Sequence, residues 1–315
     1  MASLLDDLIG LLTLERLDTN LFRGQSLDIG TKRVFGGQVL GQSLAAANVT
    51  VDDGVVHSMH AYFLRAGDHN APIIYEVDRQ RDGRTYASRR VVAIQHGRPI
   101  LNMAASFQRP EQGLSHQSTM PEVPAPETLK DIGEYRREYL ERMGESRIPR
   151  FAQLERPFEF RPVDAPPILD RTRRGPRTQM WFKTVEALPD DANLHRNMLA
   201  YVSDYSFISV ATRPHGDQFG SDGPQLASLD HAIWFQRPFR MDQWLLYDIE
   251  SPSATDGRGL VQGRIYQRDG TLVASGRPGR RDAGVSRGLV CRARPAASAG
   301  RSSDSPPRSP LIPPY

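Results

Sequence analysis

Asp204 and Ser228 carry a carboxylate and a hydroxyl, two groups that could act on a water molecule. Asp204 falls late in a run, residues 193–212, that reads as one mostly apolar helix, and Ser228 stands just ahead of an apolar strand-like segment. A carboxylate takes a proton from water, and a hydroxyl beside it donates or accepts. Taken singly, Asp204 reads as a solvated helix face and Ser228 as a strand-edge hydroxyl. Gly36, Gly37 and Gln38 open a second helical run ending near Val49. Glycine lets the backbone approach closely, and free N–H groups at a helix start suit an anion or a carbonyl oxygen. A tight strand-to-helix turn would need the same residues. His57, His60 and His231 alternate with apolar neighbours, as on strands. No second cluster of ligands accompanies them, so they read as structural, and no metal or other cofactor is expected. The sole cysteine, Cys291, lies in a polar tail and is not read as a nucleophile. It cannot form an intrachain disulfide, which fits a reducing cytoplasm. The Gly-x-Ser-x-Gly match at residues 284–288 falls in the polar, Arg-rich tail and supports no nucleophile elbow, and neither a P-loop nor a dinucleotide fingerprint occurs.

The elements that must carry these residues occur twice. His60-Ala61-Tyr62-Phe63-Leu64-Arg65, Pro72-Ile73-Ile74-Tyr75-Glu76-Val77 and Asp82-Gly83-Arg84 form the first series. About 171 residues on come His231-Ala232-Ile233-Trp234-Phe235-Gln236-Arg237, Trp244-Leu245-Leu246-Tyr247-Asp248-Ile249 and Asp256-Gly257-Arg258. Order, spacing and residue type all recur, which implies a duplicated structural unit. In each unit a helix comes first and alternating strands follow, clearest at residues 91–94 and 260–266. A helix followed by an antiparallel meander predicts an α+β fold, a sheet wrapped around a helix, and argues against a doubly wound sheet. The units are expected at 1–110 and 156–275, with residues 158–160 and 180–182 as the first strands of the second. A linker, 111–155, joins them, with a helical piece at 131–142. Leu4, Leu5, Leu8, Leu11 and Leu12 predict an amphipathic helix at the N-terminus. That segment has acidic residues where a secretory signal would need basic ones.

The 315 residues are 39% apolar and 24% charged, in the range of globular proteins. No run of eighteen apolar residues exists, so no membrane span is expected. Net charge is +3, but residues 276–315 hold eight Arg and two Asp, a net +6 that leaves −3 for the rest. That tail lacks interleaved aromatics and carries seven prolines, so it reads as disordered and not as a nucleic-acid site.

Several motifs resemble one family in particular. They are Phe35-Gly36-Gly37-Gln38-Val39-Leu40-Gly41-Gln42, residues 57–68 from His57 to Asp68, Arg81-Asp82-Gly83-Arg84, Ala105-Ser106-Phe107, Ser203-Asp204-Tyr205, Leu229-Asp230-His231 and Arg237-Pro238-Phe239. From Leu4 to Ser275 the chain resembles the type II acyl-CoA thioesterases, which have a tandem double hotdog fold. The resemblance implies hydrolysis of fatty acyl-CoA to free fatty acid and CoA, without a covalent intermediate or metal. It makes Asp204 and Ser228 two of three residues holding the attacking water, and implies a homo-oligomer. Gly36, Gly37, Gln38, His60 and Arg65 are the expected substrate-binding residues. The third catalytic residue should be a Gln, two positions past a small pair after Val-Ala-Ser; that position holds Pro278. Weak or absent turnover is therefore expected, with an acyl-CoA-binding protein lacking catalysis as the alternative. A hotdog hydratase ranks lower, since such enzymes set an Asp and a His together before the helix.

A shifted reading frame would account for the break. Codons permitted for residues 277–283 allow an adjacent frame reading Ala-Gln-Glu-Gly-Val-Thr, which returns Gln to position 278. Of the forty basic residues only Lys32, Lys130 and Lys183 are lysine, a bias expected of GC-rich DNA. Such DNA read out of frame yields Arg, Pro, Ala, Gly and Ser. An unshifted gene, with its nucleotides in hand, would sink this idea. The C-terminal Pro313-Pro314-Tyr315 is no peroxisomal address, which points to a bacterial-type cytoplasmic enzyme.

Overall fold

The computed structural model describes residues 3–30, 33–143, 154–165, 174–205, 207–215, 227–276 and 289–290. The chain begins with α1 (Leu4–Leu12), whose Ser3 and Asp6 form a reciprocal capping box and whose Leu5, Leu8, Leu11 and Leu12 are buried. Strands β1 (Glu15–Asp18) and β2 (Leu21–Gly24) lead to α2 (Gly36–Asn48). Then come β3 (Val55–Phe63), β4 (Ile73–Asp82), β5 (Tyr86–Gln95) and β6 (Arg98–Gln108). After α3 (Ile132–Met143) the pattern returns as β7 (Phe158–Pro162), β8 (Arg177–Thr184), α4 (Ala192–Ser203) and α5 (Phe207–Thr212). It closes with β9 (Asp230–Phe235), β10 (Leu245–Thr255), β11 (Arg258–Gln267), β12 (Leu272–Gly276) and the two-residue β13 (Leu289–Val290). The strands expected at 91–94, 260–266, 158–160 and 180–182 lie inside β5, β11, β7 and β8.

The α+β class and the tandem hotdog arrangement are both present, and the halves are fused more closely than duplication alone requires. β3 pairs antiparallel with β9, His60 opposite Ala232, so the two half-sheets join into one sheet. On its inner face α2 and α4 pack against each other. A Cβ on Gly37 would stand 2.1 Å from the Tyr201 carbonyl oxygen, and one on Gly41 3.0 Å from that of Asn197. Small residues at this i, i+4 spacing let the two helices approach closely, and one apolar core runs through both halves.

The single helix expected over 193–212 is two helices. α4 ends at Ser203 with Asp204 as its C-cap. Ser203 Oγ donates back to the Ala200 carbonyl (2.9 Å), one of the local bonds by which Ser and Asp compete with helix continuation. Part of the expected linker is a cover for the sheet's outer face. Trp181 Nε1 donates to the Pro124 carbonyl at 3.0 Å, and Ser118 Oγ lies 2.9 Å from Tyr266 Oη. Met120, Val123 and Leu129 pack there on Trp181, Leu246 and Tyr266.

β6 pairs with both neighbours along nearly its whole length. Among the described residues, β12 pairs with β9 at Ala274↔Phe235 and Ser275↔Trp234, and with β11 as far as Gly263↔Gly276. Farther along β11, Val261 pairs with Leu289 of β13.

Candidate active site

Asp204 sits where the C-terminal end of α4 meets the first turn of α2 from the other half. The Gly37 N–H donates to its carboxylate, and Ser228 Oγ donates to Oδ1 at 3.3 Å. A Cβ on Gly36 would be 2.6 Å from Oδ2 and 3.0 Å from the Phe63 ring, so only glycine leaves this space open. The Phe63 N–H donates to the Leu229 carbonyl (3.0 Å), which draws the end of β3 beside the Ser228 segment. Phe35 packs against Tyr201 and Tyr205, ring centroids 5.2 and 4.7 Å away, and gives the site an aromatic wall.

Burial pushes the Asp204 carboxyl up from 3.8 to about 7, against the opposing pull of the Ser228 hydroxyl and the Gly37 N–H. The negative end of α4 adds to the cost of a charge there, while the positive end of α2 offsets it. Asp204 as a residue is partly exposed, while its carboxyl group is deeply buried among protein atoms. At neutral pH such a group is close to half ionised, the condition suited to a base that also returns its proton.

The structure brings Asp204, Ser228, Gly36 and Gly37 together and leaves three other expected residues elsewhere. Gln38 is fully buried. Its amide accepts from the Leu27 N–H (3.1 Å) and donates to the Gln25 carbonyl (3.1 Å), so it shapes the loop before α2 and presents nothing to a ligand. His60 packs edge-on against Trp234 at 4.9 Å. Alternation along β3 puts it on the face opposite the buried Met59 and Ala61, with the sheet between it and Asp204. Arg65 is exposed and donates to the Pro99 carbonyl at 2.7 Å. Pro278 lies outside the described residues. Val261, which pairs with Leu289 of β13, and His231 are both buried, and His231 Nε2 is 2.9 Å from Oγ of Ser203, the neighbour of Asp204.

Sequence reasoning took His231 for a structural residue and passed over Ser203, Tyr247 and Phe63. Ser203 stands in the Ser-Asp-Tyr motif, Phe63 in the 57–68 motif and Tyr247 in the second repeat series, but nothing in those patterns points to the site.

Residues 151–288 match the family described as acyl-CoA thioesterase, and residues 25–108 match the acyl-CoA thioesterase N-terminal domain. The chain belongs to the acyl-CoA thioesterase II family. Acyl-CoA thioesterase 2 of Haemophilus influenzae is 44% identical over 276 residues, 87% of this chain and 96% of that one. Acyl-coenzyme A thioesterase 8 of Homo sapiens is 42% identical, over 84% of this chain and 85% of its own. The crystal structure of an acyl-CoA thioesterase II from Mycobacterium marinum superposes with a TM-score of 0.72 at 38% identity, covering 90% of this chain and 97% of the other. Within this acyl-CoA thioesterase II member, no described helix is long and apolar enough to cross a membrane.

Proposed function

We propose that the chain hydrolyses fatty acyl-CoA to fatty acid and CoA by direct attack of a water held by Asp204 and Ser228. The observation that carries this is a buried carboxylate fixed between the Ser228 hydroxyl at 3.3 Å and the Gly37 N–H at the start of α2, beside a Gly36 that has no Cβ to crowd it. Ionised Asp204 takes a proton as the water oxygen bonds to the thioester carbonyl carbon. The oxyanion that develops faces the start of α2, where Gly36 and Gly37 leave room and the helix end is positive. On collapse the C–S bond breaks, and the CoA sulfur takes the proton back from Asp204. Of the expected substrate-binding residues, the proposal keeps Gly36 and Gly37.

The proposal includes impaired turnover, because the family resemblance implies a Gln at position 278 and this sequence has Pro278 there. Proline offers neither a side-chain donor nor an N–H. A protein that binds acyl-CoA without hydrolysing it is the alternative the same residue favours. The proposal extends to a cytoplasmic homo-oligomer. Cys291 has no partner cysteine, and the outer sheet face exposes Tyr62 and Tyr86.

The purified chain should bind acyl-CoA and release free CoA thiol slowly, about 10²- to 10³-fold below an ordinary thioesterase turnover. No binding at all would overturn the substrate. Binding without any thiol release would favour the alternative, and ordinary turnover would remove the impairment. Sedimentation only as a 35.3 kDa species would remove the oligomer.

A further inference from the structure

We infer that His231 and Tyr247 are positioning residues for Asp204, acting through Ser203; the inference rests on the reading of Asp204 as the base. Ser203 is the last residue of α4 and shares a peptide bond with Asp204. It is buried, and both of its polar ends are held by side chains from the sheet. Its hydroxyl donates to the Ala200 carbonyl, which leaves the oxygen to accept from His231 Nε2–H at 2.9 Å. Its carbonyl, freed where the helix stops, accepts from Tyr247 Oη–H at 3.3 Å.

His231 lies on β9 and Tyr247 on β10, with β12 and β11 between them in the sheet. The end of α4 is thus tied at two separated points, which limits both sliding and tilting. The Tyr247 ring finds space over Gly263, where a Cβ would come within 2.5 Å of Cε2. Burial holds the His231 ring neutral, with its pKa down at about 4, so its N–H donor does not change role near neutral pH. The groups that set the Asp204 carboxyl are Ser228, the Gly37 N–H and burial itself. Tyr205 and Tyr247 also lie within range of its charge, and burial keeps both phenols protonated. The 3.3 Å contact with Ser228 and the Gly37 bond from a different half both require α4 to end where it does. A displacement of about 1 Å at such a site can cost on the order of 10²-fold in rate.

The test reads Asp204 directly and does not need turnover. Unfolding stability is measured from pH 4 to 9 with and without Asp204→Asn, in four backgrounds: parent, His231→Leu, His231→Gln and Tyr247→Phe. In the parent, the difference between the two should grow with pH and level off near pH 7. With the tie cut in His231→Leu, Asp204 becomes better solvated, and the levelling-off should move down by about one pH unit. His231→Gln keeps a donor and should leave it near pH 7, and Tyr247→Phe should shift it in the same direction as His231→Leu. If His231→Leu and Tyr247→Phe lower overall stability yet leave the break at pH 7, the inference is wrong. Should His231→Leu fail to fold, Tyr247→Phe alone decides. A parent showing no break, or hydrolysis that survives Asp204→Asn, would instead remove the reading of Asp204 itself.

Discussion

Replacing Asp204 by Asn is expected to cut acyl-CoA hydrolysis by about 10²- to 10⁴-fold while making the fold more stable at pH 8. The two effects share one cause. The carboxylate is useful because its surroundings oppose its charge, and that opposition is a cost to folding. Its folded pKa, about 7, lies above the ordinary 3.8, so the unfolded chain ionises first. The stability associated with protonated Asp204 is complete below pH 4, declines between pH 4 and 7, and is gone above pH 7. The full shift corresponds to roughly 4 kcal/mol. Relaxation of the surroundings around the charge reduces this, so a gain of about 1–3 kcal/mol at pH 8 is expected. The gain should vanish near pH 4, as denaturant titrations at the two pH values would show. A variant destabilised equally at both would mean that Asp204 is an ordinary solvated carboxylate.

The second large effect concerns residues 276–315. Exchanging them for the adjacent-frame tail, with Gln at 278, should raise turnover by about 10²- to 10³-fold, the usual worth of one preorganised hydrogen-bond donor. The family resemblance singles out this position, since it implies a Gln where this sequence has Pro278. Pro278→Gln alone should recover little, because the Arg- and Pro-rich sequence after it disfavours a strand between two others. Equal CoA release by the original and exchanged chains would show that position 278 has no part in the reaction. Nucleotide sequencing across Ser275 tests the shifted frame separately.

Much of the fold was legible because it is repeated. The series from His60 and from His231 became β3 and β9, which pair with each other. The leucine spacing of α1 and the glycines opening α2 likewise read directly as structure. The 193–212 helix misread came from apolar content that runs on past Ser203, where a local hydroxyl bond and the Asp204 cap end α4. For the site, motif resemblance singled out Asp204 and Ser228, but proximity in the sequence misassigned Gln38 and His60. Gln38 follows two site glycines yet turns inward one step round the helix, and His60 is on the wrong side of a strand.

The sequence by itself determined the duplicated α+β units and the family, since these depend on residue type and local spacing, and the family resemblance in turn singled out Asp204 and Ser228. Tertiary structure alone decided that Asp204 faces the helix start of the other half and loses enough water to titrate near pH 7. It alone decided that His231 and Tyr247 reach Ser203. The reason is physical: desolvation and hydrogen-bond partners depend on groups far apart in the chain, and only the packed sheet and helices bring those groups together.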